Sequence, residues 1–225
     1  MALQTTEIWN PEIVYLHLQI RNKIWDTCNK EVSLKKKAES LMFPKKIDKH
    51  TYIPNMADAI AANKELENNP MDNALQKLFT QLCPYNTSLE DVLIKCTTLN
   101  KLYSTNIINI YAMAEHIHSL NIDERLHRGD LSLVESIAYA PSLKRRFYSF
   151  ATKYCAMHLP QVYSIFDSHV QKVLLHFLPK KYTSDSLKNY EIYCQALHEF
   201  QSKYHLEELN AWRLDKYLWQ LGGLL

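Results

Sequence analysis

The chain has 225 residues, 47% of them hydrophobic and 22% charged, with a net charge of +2. That composition excludes a disordered chain and supplies one large domain, or two small ones, with a sound core. So mild a charge admits a nucleic-acid partner only through a local basic surface.

Only three glycines occur, Gly129, Gly222 and Gly223. Strand-rich folds and phosphate-cradling loops spend glycine freely, so this scarcity argues for helices. It also leaves no Walker loop and no dinucleotide fingerprint. The cysteines Cys28, Cys83, Cys96, Cys155 and Cys194 are far apart, with no CxxC and no His/Cys pair at metal spacing. They read as reduced, mostly buried thiols of an intracellular protein. His116 and His118 are two apart on a helix and face away from each other. Neither a metal nor a cofactor is expected. The N-terminus has no signal-peptide pattern, and no apolar segment is long enough to span a membrane.

Taken in order, the pattern is helical from about Pro11 to Phe43, where Lys35–Lys37 form a solvated face. A loop follows over 44–54, then a short helix over 56–68. Another covers 71–83, with Leu75, Leu78, Phe79 and Leu82 inward. Ser88-Leu-Glu-Asp91 resembles a capping box and opens a helix carrying Val92, Cys96 and Leu99. Ser104 or Thr105 then caps a helix with Ile107, Ile110, Tyr111, Ala114 and Ile117 inward. Residues 121–130 read as a polar loop. A second capping box at Ser132 starts a helix over 133–139, and the next helix runs over 143–158. Behind Asp167 a helix carries Val170, Val173, Leu174 and Phe177. The last two helices cover 184–204 and 209–221, and Gly222 ends the final one. The expected fold is all-α, a compact globule of about nine or ten helices. Its parts are 1–87, 88–178 and 179–225, packed as one structural unit.

The most pointed stretch is 148–170, where an aromatic-rich helix runs into Pro160 and an extended link leads to one carboxylate, Asp167, at a helix start. Taken alone, Asp167 is an ordinary helix cap. The order of parts around it resembles the helix-hairpin-helix (HhH-GPD-like) DNA glycosylase superfamily, in particular its 8-oxoguanine-glycosylase-like bacterial members. Leu102 to Ile107 looks like the start of the feeder helix and 133–139 like the first hairpin helix. Pro141-Ser-Leu-Lys-Arg-Arg146 sits where the Pro-Gly-x-Gly hairpin belongs. Ile165-Phe-Asp-Ser-His-Val170 looks like the signature around the catalytic aspartate. The resemblance covers about residues 88–178 and implies a degenerate helix-hairpin-helix at 133–158. Two departures stand out: Ser142 and Lys144 replace the hairpin glycines, and Arg146 falls near the lysine of bifunctional members.

What the resemblance implies is a monofunctional, monomeric enzyme acting on double-stranded DNA in the bacterial cytoplasm. Asp167 would stabilise the sugar cation as the base departs. Tyr103, Asn106, Tyr148, Lys153, Tyr154 and His158 would form the pocket for a flipped base. Ser142, Lys144, Arg145 and Arg146 would hold phosphates. Lys144 and Lys153 keep lyase chemistry open. The base would be a damaged purine in base-excision repair, or a hypermodified base of phage DNA, such as glucosylated hydroxymethylcytosine, in antiviral defence. The alternatives are a non-catalytic helical module that binds DNA or protein, and a helical protein with no nucleic-acid role.

Overall fold

The computed structural model describes residues 42–225. The helix expected over 11–43, the Lys35–Lys37 run and Cys28 lie outside these residues, except for Met42 and Phe43, which are irregular. Helix α1 (Met56–Leu66) starts at Asn55, whose side chain accepts from the Asp58 N–H, and buries Ala59, Ala61 and Ala62. Helix α2 (Pro70–Lys77) takes Asn69 as its cap and Pro70 in its first turn. A wide π-helical turn, Leu78–Leu82, follows directly. Its extra residue per turn rotates the apolar face, so Leu78 and Phe79 are buried but Leu82, expected inward, is exposed.

Helix α3 (Leu89–Leu102) begins as its sequence suggests, with the Asp91 N–H donating to Ser88 Oγ and with Val92, Cys96 and Leu99 buried. Residues 103–109 are a loop rather than the next helix. Ser104 and Asn106 adopt left-handed conformations, with φ of 49° and 58°. Asn100 pins the loop: its Oδ1 accepts from the Ile107 N–H at 3.0 Å and from the Thr105 hydroxyl at 2.8 Å. The following helix, α4 (Ile110–Ser119), is capped by Asn109, neither by Ser104 nor by Thr105. This shift buries Ile107 within the loop and leaves Tyr111 exposed. A short helix α5 (Asp123–His127) stands where a polar loop was expected.

Helix α6 (Leu133–Ala138) buries Leu133, Val134, Ile137 and Ala138. Ser132 does not cap it, because its hydroxyl and N–H both donate to Asp130. A miniature hairpin follows. Strand β1 (Tyr139–Ala140) pairs antiparallel with β2 (Arg145–Arg146), in register Tyr139↔Arg146 and Ala140↔Arg145, around a 3₁₀ turn at Pro141–Leu143. Helix α7 (Tyr148–His158) therefore begins after β2, and not at Leu143. It is the central helix, with Tyr148 and every residue from Phe150 to Met157 buried. Residues 133–158, where a degenerate helix-hairpin-helix was expected, run as α6, a two-stranded hairpin and α7. Lys144 holds the hairpin with φ 49°, a left-handed position that favours glycine. Lys144→Gly is expected to raise stability by about 0.5 kcal/mol. The relieved strain of about 1–2 kcal/mol exceeds the roughly 0.4–1 kcal/mol returned to the unfolded chain. A rise in urea midpoint at constant m-value would show it.

Helix α8 (Ser168–Phe177) and helix α9 (Tyr190–Tyr204) follow, with a 3₁₀ turn, Ser186–Lys188, before α9. The long helix expected from Ser184 is split at Asn189, which caps α9. Helix α10 (Ala211–Leu224) runs straight through Gly222 instead of ending there. It packs along both α8 and α1, while α6 packs on α7 and α3 on α4. Met42–Leu225 form one unit of ten α-helices and one small hairpin among the described residues, the all-α class expected. Cys83, Cys96 and Cys155 are buried free thiols, and Cys194 is half-buried. No helix among the described residues is long and apolar enough to cross a membrane.

Candidate active site

Asp167 is the residue on which this site turns. Its backbone is extended (φ −136°, ψ 152°), and its Oδ1 accepts from the His169 N–H at 2.9 Å. That is the capping role. The other oxygen, Oδ2, lies 4.0 Å from Lys153 Nζ, and the side chain is 26% exposed at the wall of a cleft. Capping consumes one oxygen and leaves the second facing the cleft.

The cleft has a volume of about 560 Å³, within the range of about 300–1,000 Å³ common for ligand sites. Three segments wall it: Tyr103–Thr105 from the pinned loop, Arg145–Phe150 from the hairpin and the start of α7, and Phe166–Asp167. Lys153 and Lys188 complete it. Lys153 is held from several sides. Its Nζ donates to Ser149 Oγ at 2.7 Å and to the Phe166 carbonyl at 3.3 Å, and it lies 5.6 Å from the centre of the Tyr103 ring. Ser149 and Lys153 are one helical turn apart and share a face of α7. Burial pushes the Lys153 ammonium below its ordinary range, and the charges of Asp167 and Asp215 oppose that push.

Tyr103 donates its hydroxyl proton to Asp72 Oδ1 at 2.9 Å, and Asp72 also pairs with Lys216 at 3.4 Å. Burial raises the Tyr103 pKa above the phenol range, so the ring stays neutral. Tyr148 is buried and packs on Phe166 with ring centres 4.6 Å apart. Aromatic faces and a carboxylate therefore meet at one opening. Asn106 is exposed and does not belong to the lining, because its left-handed backbone turns the chain away after Thr105.

The structure moves Tyr154 and His158 out of the site expected for them. They are also one turn apart, but on a different face of α7 from Ser149 and Lys153. The Tyr154 hydroxyl donates to Asn86 Oδ1 at 2.6 Å, and Lys95 Nζ donates to the same oxygen at 2.6 Å and to the Tyr85 carbonyl at 2.8 Å. His158 Nε2 lies 3.3 Å from Lys95 Nζ and 3.4 Å from Asn86 Nδ2. Facing two donors, Nε2 is the acceptor. Burial first, and then the Lys95 charge, hold this imidazole neutral, well below the ordinary value of 6.5. Asp123 closes the cluster by accepting from Asn86 Nδ2 at 2.6 Å. A small pocket beside Phe79, Asp123 and His158 opens onto it.

The four residues expected at phosphates divide in the same way. Ser142, Lys144 and Arg145 are exposed on the hairpin, and the Arg145 guanidinium lies 5.3 Å from the centre of the Phe147 ring. Arg146 is committed inside the fold. It pairs with Glu135, donates to the Lys188 carbonyl at 2.6 Å and covers the Tyr148 ring at 4.2 Å. Its work is to brace the hairpin against α6, the Ser186–Lys188 turn and the Tyr148 ring. Lys188 was not expected here, and neither were Ser149, Phe166 or Asp215. The i,i+4 spacing of Ser149 and Lys153 was the readable signal for the first of these. No group of three or more His, Cys, Asp or Glu suited to a metal ion occurs among the described residues.

A family model named HI_0787_N, described as an N-terminal domain, matches residues 48–162. The match takes in Tyr103, the hairpin and Lys153, and stops short of Asp167. A protein of Haemophilus influenzae described as "Uncharacterized protein" is 39% identical over 144 residues, which is 61% of this chain and 69% of that protein. No solved structure gives a significant match. With just over half of its length matched, the chain belongs to the HI_0787_N family.

Proposed function

We propose that this protein is a monofunctional DNA N-glycosylase that hydrolyses the bond between deoxyribose and a flipped, modified base. The observation that carries the reading is Asp167 at the wall of an aromatic cleft, its Oδ2 4.0 Å from Lys153 Nζ, beside a hairpin bearing Lys144 and Arg145. Cleaving an N-glycosidic bond leaves positive charge on the sugar, and a fixed carboxylate in a partly dry site stabilises it. Tyr103 and Phe166 offer ring faces and edges to a base taken out of the stack, with Tyr148 packed behind Phe166. The exposed cations of the hairpin supply the sequence-independent grip on phosphates. The base is a damaged purine, in repair, or a hypermodified base of phage DNA, in defence. Both act in the bacterial cytoplasm.

The test is a panel of duplexes carrying oxidised, alkylated or glucosylated bases, treated with alkali after incubation to reveal abasic sites. Wild type is expected to act on at least one duplex, and Asp167→Asn to release that base about 100-fold more slowly. Full activity in Asp167→Asn would sink the assignment. Wild type that binds duplex in a salt-dependent way and releases no base from any of them would identify a non-catalytic DNA-binding module instead.

A further inference from the structure

The pocket at the C-terminal end of α7 has a volume of about 180 Å³. A cavity of about 150 Å³ is enough to take a benzene ring, so this one admits a single substituted ring. Phe79, Pro84, Leu126 and Leu159 give it apolar walls, and Asp123, His127 and His158 give it polar atoms. The Phe79 ring stands edge-on to the His158 ring, with centres 4.9 Å apart.

The direction of hydrogen bonding at His158 is fixed from inside the fold. An ammonium has three protons to give and no lone pair to accept with. Three acceptors surround Lys95 Nζ: the Tyr85 carbonyl at 2.8 Å, Asn86 Oδ1 at 2.6 Å and His158 Nε2 at 3.3 Å. Nε2 therefore accepts, and the one N–H of the neutral imidazole sits on Nδ1. Burial keeps that ring neutral. Nδ1 has no partner among the described residues and is open to solvent. His158 lines the pocket, so an N–H polarised by a buried ammonium is offered to whatever occupies it. His127 is the complement. Its Nδ1 donates to the Asp123 carbonyl at 2.7 Å, which leaves Nε2 as an acceptor in the neutral ring.

We propose that this pocket binds a neutral, single-ring lactam, a flat ring with a carbonyl beside an N–H. The carbonyl accepts from His158 Nδ1, and the ring N–H donates to His127 Nε2. Charge selects against other ligands. An anion would meet the Asp123 carboxylate, and a cation would meet the N–H backed by Lys95. A plain hydrocarbon would expel water from the His158 proton and offer no acceptor in its place, at a loss of roughly tenfold in affinity. Pyridones and free pyrimidine bases belong to the class that fits. The site is built from the π turn, α5 and the end of α7, and it does not depend on the glycosylase reading.

The experiment is NMR of the full chain with ¹⁵N-labelled histidine and ¹³C-labelled leucine methyl groups. In the free protein the ring of His158 is expected as the Nδ1–H tautomer, read from its long-range ¹H–¹⁵N pattern. Titration with 2-pyridone is expected to shift His158 and the methyl groups of Leu126 and Leu159. Saturation is expected with a Kd of about 1 mM or tighter, within reach of so small a ligand. N-methyl-2-pyridone, which lacks the N–H, and benzene, which lacks both groups, should bind about tenfold more weakly. Thr80 is exposed at the rim, and Thr80→Trp should close the pocket and abolish the shifts. The Nε2–H tautomer in the free protein would overturn the proposal, and so would a titration that does not saturate at about ten times the expected Kd. Benzene binding as tightly as 2-pyridone would leave an apolar hollow with no lactam preference. Shifts unchanged in folded Thr80→Trp would put the ligand elsewhere, and either result sinks the assignment.

Discussion

Lys95→Ala is expected to destabilise the fold by about 3 kcal/mol. Lys95 is fully buried, an unusual place for an ammonium, and burial pushes its pKa down to about 8. Its Nζ is the donor that satisfies the Tyr85 carbonyl, and it shares Asn86 Oδ1 with the Tyr154 hydroxyl. Truncation leaves the carbonyl without this donor and opens a void against Phe79 and Tyr154, whose rings lie 5.7 Å from Nζ. The lost desolvation penalty of the charge offsets part of this, which holds the net cost below that of an ordinary buried ion-pair break. Lys95→Met keeps the volume and removes only the polar function, so it should cost about 1 kcal/mol, the worth of the hydrogen bonds alone. Urea unfolding of the two variants separates cavity from polarity. Equal losses would mean that packing is irrelevant at this node.

Much of this molecule could be read from its sequence, and the failures share physical causes. Ser88, Pro70 and Pro179 mark helix ends because a hydroxyl cap and a missing N–H act locally. Asp167 was legible as a helix cap because a carboxylate directly ahead of an apolar helix commonly takes that job. Two helix starts were placed too early because this chain caps with asparagine, at Asn109 and Asn189, where serine or threonine nearby looked equally suitable. The π turn at Leu78–Leu82 carries no sequence mark, so the inward register was lost at Leu82. Tyr154 and His158 fell on the wrong side because α7 is buried on nearly all sides and mixes polar with apolar residues, so its periodicity points nowhere. Lys95 and Asp215 were visible in principle. Lys95 is three residues after Val92, at an inward position of its helix, and Asp215 is three before Leu218 and half-buried. A charge in a buried register is the signal that deserved weight.

Gly222→Ala is expected to cost about 3 kcal/mol, while Gly223→Ala next to it should be neutral or stabilising. A Cβ at Gly222 would lie 2.3 Å from the His169 carbonyl oxygen and 2.6 Å from its carbon. Backbone cannot yield as a side-chain tip can, so α10 and α8 would have to separate. A Cβ at Gly223 meets only the His169 ring, at 3.6 Å, an ordinary contact. Alanine's helix preference then favours the variant, by less than the roughly 1 kcal/mol of a helix interior because Gly223 lies in the last turn of α10. The contrast is informative because Gly222 touches the residue whose N–H donates to Asp167 Oδ1. Separation at this point shifts the start of α8, and the carboxylate with it, relative to Lys153 on α7. Gly222→Ala should therefore lose base release beyond its loss of stability, measured well below its melting temperature, and Gly223→Ala should not. Thermal unfolding and single-turnover base release on the two variants make the comparison. Equal melting temperatures would show that the helices do not meet through Gly222. A stability loss with unchanged release would show that α10 holds the fold together without setting the geometry at Asp167.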